Sequence, residues 1–282
     1  MAENKETQVS TTKGAQLAAV GAGSNYIAMV VQAKQEAFLE VNEGLDLDYV
    51  RIGQYLKLDK KGNFIEARDK EVNYGDTLDV VVAQGEPRWV LWGKEDTPED
   101  GQLIVQLPAK EELLPEETEG LTKVQQSKKM AAKAEATARA TLDTWLQTTA
   151  QTDPSVLDRY SQEDLKLRYT AFVVPVKFLG TGEPLKIYLM TFAPGDTFGW
   201  GNYAMSIFDG KYKAIGVPAN SSAKQVVTRI VSEPREDGNI SWLGLNFTCL
   251  GMFKPEDYGI DPDAVDDAAA HTDPGAGEAG KA

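Results

Sequence analysis

The chain has 282 residues, of which 42% are hydrophobic and 9% aromatic, so it can bury a sizeable core as one large domain or two small ones. One cysteine, Cys249, excludes an internal disulfide and a cysteine cluster for a metal, and one histidine, His271, leaves no imidazole base for a Ser-His-Asp or Cys-His site in the folded part. The formal net charge of −14 is distributed unevenly: residues 94–119 carry net −7, residues 120–254 net +4 and residues 255–282 net −7.

Residues 1–14 are polar and lack the apolar core of a signal peptide, so we expect a disordered N-terminus. No segment approaches the roughly 18 consecutive apolar residues of a membrane span. We therefore expect a cytoplasmic protein with no membrane partner.

Residues 15–107 are predicted to form a first β-rich block that begins with a helix. The helix runs over residues 25–40, with Ser24 as N-cap and Ile27 among its inward residues. After it, apolar and polar residues alternate over residues 45–50. Residues 55–58 and 63–65 flank a turn and predict a hairpin. Further strands are expected at 77–83 and 88–92, separated by a turn at 84–87, and at 103–105.

The acidic stretch 94–119 contains three prolines and is predicted to be a connecting loop. Residues 121–150 contain no Gly or Pro and carry a stripe of small apolar residues at helical spacing. We therefore assign residues 108–150 to a linker and a long helix.

Residues 151–258 are predicted to form a second β-rich block. A short helical turn is expected at 161–166, and strands at 168–177, 185–191, 225–231 and 240–249. Residues 192–203 carry three glycines among Phe, Trp and Tyr, a composition that predicts a loop or tight turn. In the last strand, alternation places Cys249 on one face with Leu243 and Leu245, which predicts a buried thiol without a reactive role.

Residues 259–282 are rich in Ala, Gly, Pro and Asp and poor in large apolar side chains, so we expect a disordered acidic tail. Such a tail either keeps the protein soluble or competes with nucleic acid for basic residues and offers a docking strip to other proteins. The two roles are compatible.

Lysines and arginines alternate with aromatic residues along several predicted strands. Proteins that bind single-stranded nucleic acid place cations on the phosphates and stack bases on aromatic rings. The candidate nucleic-acid-binding residues are Arg88, Trp89, Trp92, Lys186, Tyr188, Trp200, Lys211 and Tyr212.

Two strand-rich blocks, the second containing Gln-Val-Val-Thr-Arg-Ile-Val at residues 225–231, precede the acidic tail. This layout resembles that of phage- or mobile-element-encoded single-stranded-DNA-binding proteins of the OB-fold type. The resemblance implies an α+β, strand-rich fold with two small antiparallel β blocks, each an OB-like barrel or sheet. It also implies sequence-tolerant binding of single-stranded DNA in replication or recombination, with partner proteins docking on the tail. The helix at 121–150 has no counterpart in that layout.

Two other classes of function remain open. One is a structural or assembly protein of a virion or mobile element, without nucleic-acid binding, in which the β blocks and helix serve protein contacts. The other is a carboxylate-dependent enzyme, but no catalytic or nucleotide-binding motif supports it. We therefore expect no enzyme activity, no cofactor and no metal, and leave open DNA versus RNA and homo-oligomer formation.

Overall fold

A computed structural model describes residues 25–41, 54–182, 185–238 and 240–264. Within these residues the fold is α+β and strand-rich, as the sequence predicts. The eight strands are β1 Gln54–Leu58, β2 Phe64–Glu66, β3 Thr77–Trp92, β4 Leu103–Pro108, β5 Lys166–Pro175, β6 Tyr188–Phe192, β7 Val226–Asp237 and β8 Ile240–Met252. The α-helices are α1 Tyr26–Val41, α2 Pro115–Thr118, α3 Lys123–Thr149, α4 Val156–Arg159 and α5 Pro194–Phe208.

All eight strands belong to one mixed sheet. Its order is β2-β1-β6-β5-β3-β7-β8, and β4 pairs with β3. The β1–β6 pair is parallel and the other pairs are antiparallel. Strands of the two predicted β blocks are therefore interleaved in one sheet, with β3 between β5 and β7, and the layout of two separate OB-like blocks is not confirmed.

The sheet is strongly curled into a half-barrel. The Tyr55 hydroxyl of β1 donates to Gln106 Oε1 of β4 at 3.1 Å, and the Tyr55 ring lies 4.5 Å from the Trp92 ring of β3, centroid to centroid. Two strands, β6 and β5, separate β1 from β3 in the sheet, so only strong curvature brings these side chains together. At the other end, a Cβ placed on Gly62 would lie 2.9 Å from Ser232 Oγ, so the β1–β2 turn approaches β7.

Helices cover both faces of the sheet. Helix α5 packs Trp200, Tyr203 and Ile207 onto the face that contains Val80. Helix α1 packs Tyr26, Ile27, Val30 and Val31 onto the face that contains Val81. Because adjacent strand residues point to opposite faces, α1 and α5 lie on opposite sides of β3. Helix α3 buries Ala138, Leu142 and Leu146 against Leu91 and Val105.

The structure confirms the first helix, the hairpin and the long helix, and corrects two predicted elements. Residues 84–87 continue a 16-residue strand rather than forming a turn. Residues 192–203 do not form a loop, because α5 begins at Pro194. At the predicted helical turn 161–166 the structure has a single hydrogen-bonded turn over residues 162–164, and a short helix lies just before it, at Val156–Arg159. The alternating residues 45–50 and Ser24 lie outside the described residues.

The acidic stretch 94–119 is held against the body by ion pairs, so its prediction as a linker is not confirmed. Glu99 pairs with Arg159 at 2.8 Å, Asp100 with Lys70 at 2.6 Å and Glu111 with Lys133 at 3.3 Å. Strand β4 also lies within this stretch. The high local density of carboxylates is thus compensated by lysines and arginines from distant positions in the sequence.

The first residues assigned to the acidic tail belong to the packed body. Ile260 packs against the buried cluster around α1. Residues 1–24 and 265–282, which include most of the predicted disordered ends, lie outside the described residues. No helix within the described part of the chain has the length and apolar character needed to cross a membrane.

Candidate functional site

A groove of about 620 Å³ lies between α5 and the segment at residues 220–224. Its volume falls within the range of small-ligand sites in proteins, roughly 300–1,000 Å³. The groove is lined by Val82, Tyr169, Trp200, Gly201, Ala204, Met205, Phe208, Asn220, Ser221, Ser222, Ala223 and Lys224.

The start of α5 is fixed by a buried carboxylate. Pro194 stands in the first turn, where its missing N–H costs no hydrogen bond. Asp196, also in the first turn, accepts from the Leu245 backbone N–H of β8 at 2.8 Å and lies 3.6 Å from the Arg235 guanidinium. A negative charge near a helix N-terminus is favourable, and this one also ties the helix to the sheet.

An aromatic cluster forms the inner wall of the groove. Trp200 is 6% exposed, and its ring lies 6.3 Å from the Tyr169 ring and 5.3 Å from the Phe247 ring. Tyr169 reaches this position by crossing Gly85, where a Cβ would lie 2.6 Å from Tyr169 Cε1. Gly85 of β3 is therefore needed to form the wall, because a side chain at this position would displace the Tyr169 ring.

The outer rim is apolar and open to solvent. Met205 is 58% exposed and Phe208 is 51% exposed, although both line the groove. Large apolar side chains exposed beside a groove are typical of binding sites. Phe198, on the same helix, is 72% exposed but does not line the groove.

The opposite wall is polar. Asn220 holds a left-handed backbone conformation with φ of 64°. Ser221 is buried, and its hydroxyl has no hydrogen-bond partner among the described residues. The Ser222 hydroxyl accepts from the Lys224 backbone N–H at 3.2 Å. The unsatisfied Ser221 hydroxyl is notable because buried polar groups in native proteins are nearly always bonded.

Two lysines bring positive charge to this region. Lys224 lines the groove, and Lys211 is exposed, with its ammonium donating to Ser206 Oγ of α5 at 3.2 Å. Neither lysine forms an ion pair with any residue that the structure describes. The groove thus combines an aromatic wall, an apolar rim, hydroxyl groups and one lysine, Lys224, with a second lysine, Lys211, bonded to the helix beside it.

The predicted site residues lie in three separate regions of the fold, and one of these regions is the groove. Trp200 lines the groove, and Lys211 lies against the same helix. Tyr212 is half-buried and packs edge-on against Tyr203, with centroids 6.3 Å apart. These three belong to the region of the groove, although Tyr212 does not line it.

The other five lie elsewhere. Tyr188 is 1% exposed and its hydroxyl donates to Glu66 at 2.6 Å, so its ring offers no face to a base. The Lys186 ammonium stands 5.0 Å from the Phe178 ring centroid. Arg88 pairs with Glu86 at 2.5 Å, Trp89 packs against the α3 cluster, and Trp92 packs against Tyr55.

Sequence reasoning missed most of the groove. Phe198, Met205 and Phe208 recur at helical spacing, which indicates one face of a helix. The prediction of a loop at 192–203 led us to overlook this pattern. The polar wall at residues 220–222 gives no signal of its own, because Asn and Ser are common in turns without any function. Residues 220–222 contribute to a candidate site because the fold places them opposite α5, where the two together line the groove.

The arrangement gives no indication of metal or thiol chemistry. The described residues contain no group of three or more His, Cys, Asp or Glu side chains that could hold a metal ion. Cys249 is buried, and burial raises the pKa of its thiol, which disfavours the reactive thiolate.

No protein-family model matches the chain, and neither a curated protein nor a solved structure was found to match it.

Proposed function

We propose that this protein binds single-stranded nucleic acid, with DNA as the expected form, through the groove between α5 and residues 220–224. The observation that carries the proposal is the combination of an aromatic wall, a hydroxyl-bearing wall and Lys224 in one groove. We further propose, from the acidic C-terminal part of the sequence and not from the two-block layout, that this binding serves replication or recombination of a phage or mobile element.

In this proposal the bases enter the groove and the phosphates stay outside. Phe208 contacts the face of a base over the buried ring of Trp200, and the exposed Ser222 hydroxyl meets a polar group on the edge of the base. Lys224 and Lys211 neutralise neighbouring phosphates. A duplex holds its bases stacked and paired, so it cannot place one in the groove without first paying to unstack it.

The proposal involves binding and not turnover. A base stacked on an aromatic side chain contributes roughly 1–3 kcal/mol whichever base it is, so binding tolerates changes of sequence. The phosphate contacts make the affinity fall as salt rises.

The test is fluorescence anisotropy with a labelled 30-nucleotide single strand, its duplex, and two matched variants of α5. We expect Phe208→Ala to weaken binding about fivefold or more, since it removes a stacking surface worth roughly 1–3 kcal/mol. Phe198→Ala removes the same ring from the same helix outside the groove and should leave binding unchanged. Equal affinity of wild type and Phe208→Ala, or tighter binding of duplex than of single strand, would contradict the proposal.

A second candidate is an assembly protein. The exposed residues Phe198, Met205 and Phe208 lie on one side of α5, and such an apolar strip is also typical of protein–protein contacts. Sedimentation of wild type and Phe198→Ala distinguishes the two functions. Self-association that Phe198→Ala weakens, without oligonucleotide binding by the wild type, would favour assembly.

A further inference from the structure

Two lysines share an aromatic support near the start of β6, away from the groove. The Lys177 ammonium lies 3.7 Å from the Tyr74 ring centroid and 5.0 Å from the Phe178 ring centroid. The Lys186 ammonium lies 5.0 Å from the same Phe178 ring. Both cations are therefore held at the Phe178 ring by cation–π attraction.

The carboxylate that Tyr74 contacts is already bonded to two tyrosine hydroxyls. Glu66 is buried and accepts from the Tyr74 hydroxyl at 2.8 Å and from the Tyr188 hydroxyl at 2.6 Å. Tyr74 thus directs its hydroxyl to Glu66 and its ring face to Lys177. Among the described residues, no ion pair forms with Lys177 or Lys186.

This arrangement brings two lysines to one ring, and no carboxylate in the described part of the chain pairs with either of them. Burial, and then the charge of Lys186, lower the pKa of Lys177, which reports an unfavourable environment for its ammonium. Two like charges held near each other repel in the free protein. An anion that bridges them would remove the repulsion and gain two charge-assisted hydrogen bonds.

We propose that Lys177 and Lys186 form a binding site for a phosphate group. A phosphate dianion matches the two positive charges, whereas a carboxylate neutralises one, and lysine binds phosphate as a rotatable point charge. The group is either a free phosphate compound or a phosphate of a polynucleotide backbone. None of the residues of this site lines the groove, so the site does not rest on the function proposed for the groove.

The first arm of the test is calorimetric titration of the full chain with inorganic pyrophosphate. We expect wild type to bind, and Lys177→Ala/Lys186→Ala to bind at least tenfold more weakly. Lys123→Ala/Lys128→Ala is the matched control, because it removes two exposed lysines from α3 and changes the net charge equally. Lys177→Arg/Lys186→Arg keeps both charges over the rings and should retain most of the affinity.

The second arm repeats the comparison with a single-stranded oligonucleotide at several salt concentrations. If the site takes a backbone phosphate, the plot of log affinity against log salt should lose about 0.7 of its slope in Lys177→Ala/Lys186→Ala for each phosphate contact removed. Weakening in the pyrophosphate arm alone supports the site and identifies a free phosphate compound as its ligand.

The proposal is overturned if Lys177→Ala/Lys186→Ala matches wild type in both arms, or if the α3 control loses as much affinity in both. Failure of the wild type to bind any oligonucleotide overturns the function proposed for the groove, and the pyrophosphate arm still decides this site.

Discussion

At the scale of single residues, the buried carboxylate of Glu66 and its two tyrosine partners form a polar network whose cost must be offset locally. Glu66 receives hydrogen bonds from Tyr74 and Tyr188, and the two hydroxyls are 2.6 Å apart. A buried carboxylate is tolerated only when its oxygens are bonded, because leaving it without donors costs several kcal/mol. The predicted hairpin strand covers residues 63–65 and ends just before Glu66, and nothing in the sequence indicates which tyrosines reach the carboxylate.

This network predicts a loss of stability at high pH. Burial raises the pKa of Tyr74 to about 12, although the hydrogen bond with Tyr188 opposes the shift. An unfolded tyrosine ionises near pH 10, so between about pH 10 and 12 the native state keeps a proton that the unfolded state has lost. The free energy of unfolding should be insensitive to this group below pH 10 and should fall as pH rises above it.

Urea unfolding of wild type and Tyr74→Phe at pH 8, 10 and 11.5 measures the effect. Between pH 10 and 11.5 the free energy of unfolding should decrease less in Tyr74→Phe than in wild type. Some decrease should remain, because burial also raises the pKa of Tyr188. If the free energy of unfolding decreases equally in the two proteins, Tyr74 has the same pKa in the native state as in the unfolded chain.

At the scale of elements, the sequence predicts the helices and strands that local residue patterns specify. It does not predict the elements whose conformation depends on tertiary contacts. The hairpin β1–β2 follows from alternation and its turn, in which Asp59 accepts from the backbone N–H of Lys61 and Asn63. Helix α3 follows from composition and spacing. In contrast, Gly85 and Pro87 are typical of a turn, yet they lie inside β3 because β5 pairs along this part of the strand.

Helix α5 is the clearest case of packing overriding local preference. Gly195, Gly199 and Gly201 disfavour a helix by roughly 1 kcal/mol each relative to alanine. Burial of Trp200, Tyr203 and Ile207 against the sheet offsets this cost. Because α5 forms one side of the groove, the candidate site could not be predicted before this helix was known.

Two glycine substitutions should therefore have opposite effects. Gly85→Ala places a Cβ against the Tyr169 ring and should destabilise the fold by about 1–3 kcal/mol, as overpacking in a core does. Gly195→Ala meets no atom within 4 Å in the first turn of α5 and should stabilise by about 0.4–1 kcal/mol. Urea unfolding curves measure both changes, and a stabilising Gly85→Ala would mean that Tyr169 does not lie over Gly85.

At the scale of the whole molecule, long-range pairing defines the architecture. β1 lies parallel to β6, with Gln54 opposite Tyr188. No local pattern specifies which strands pair over such distances, so the strands are predictable and their order is not. The same limit explains why the acidic stretch 94–119 was mispredicted. Its charge indicates a solvated linker, but in the structure its carboxylates pair with Lys70, Lys133 and Arg159.

The acidic C-terminal segment gives the last prediction, which rests on the function proposed for the groove. Residues 265–282 carry four acidic residues and one lysine. Carboxylates tethered to the body compete with phosphates for cations such as Lys211 and Lys224. Because salt screens this competition, ending the chain at residue 264 should raise affinity for single-stranded DNA a few-fold at low salt, and progressively less as salt rises.

The melting temperature of the shortened chain should stay within a few degrees of wild type, because the cut retains Ile260 and its contacts with the α1 cluster. A full-length variant with Asp266, Asp267 and Asp273 changed to Asn and Glu278 changed to Gln separates charge from length. It should bind as tightly as the shortened chain in the same anisotropy assay, since charge alone carries the competition. If the neutral variant binds like wild type while the shortened chain binds more tightly, the segment blocks the groove by its bulk and the electrostatic account fails.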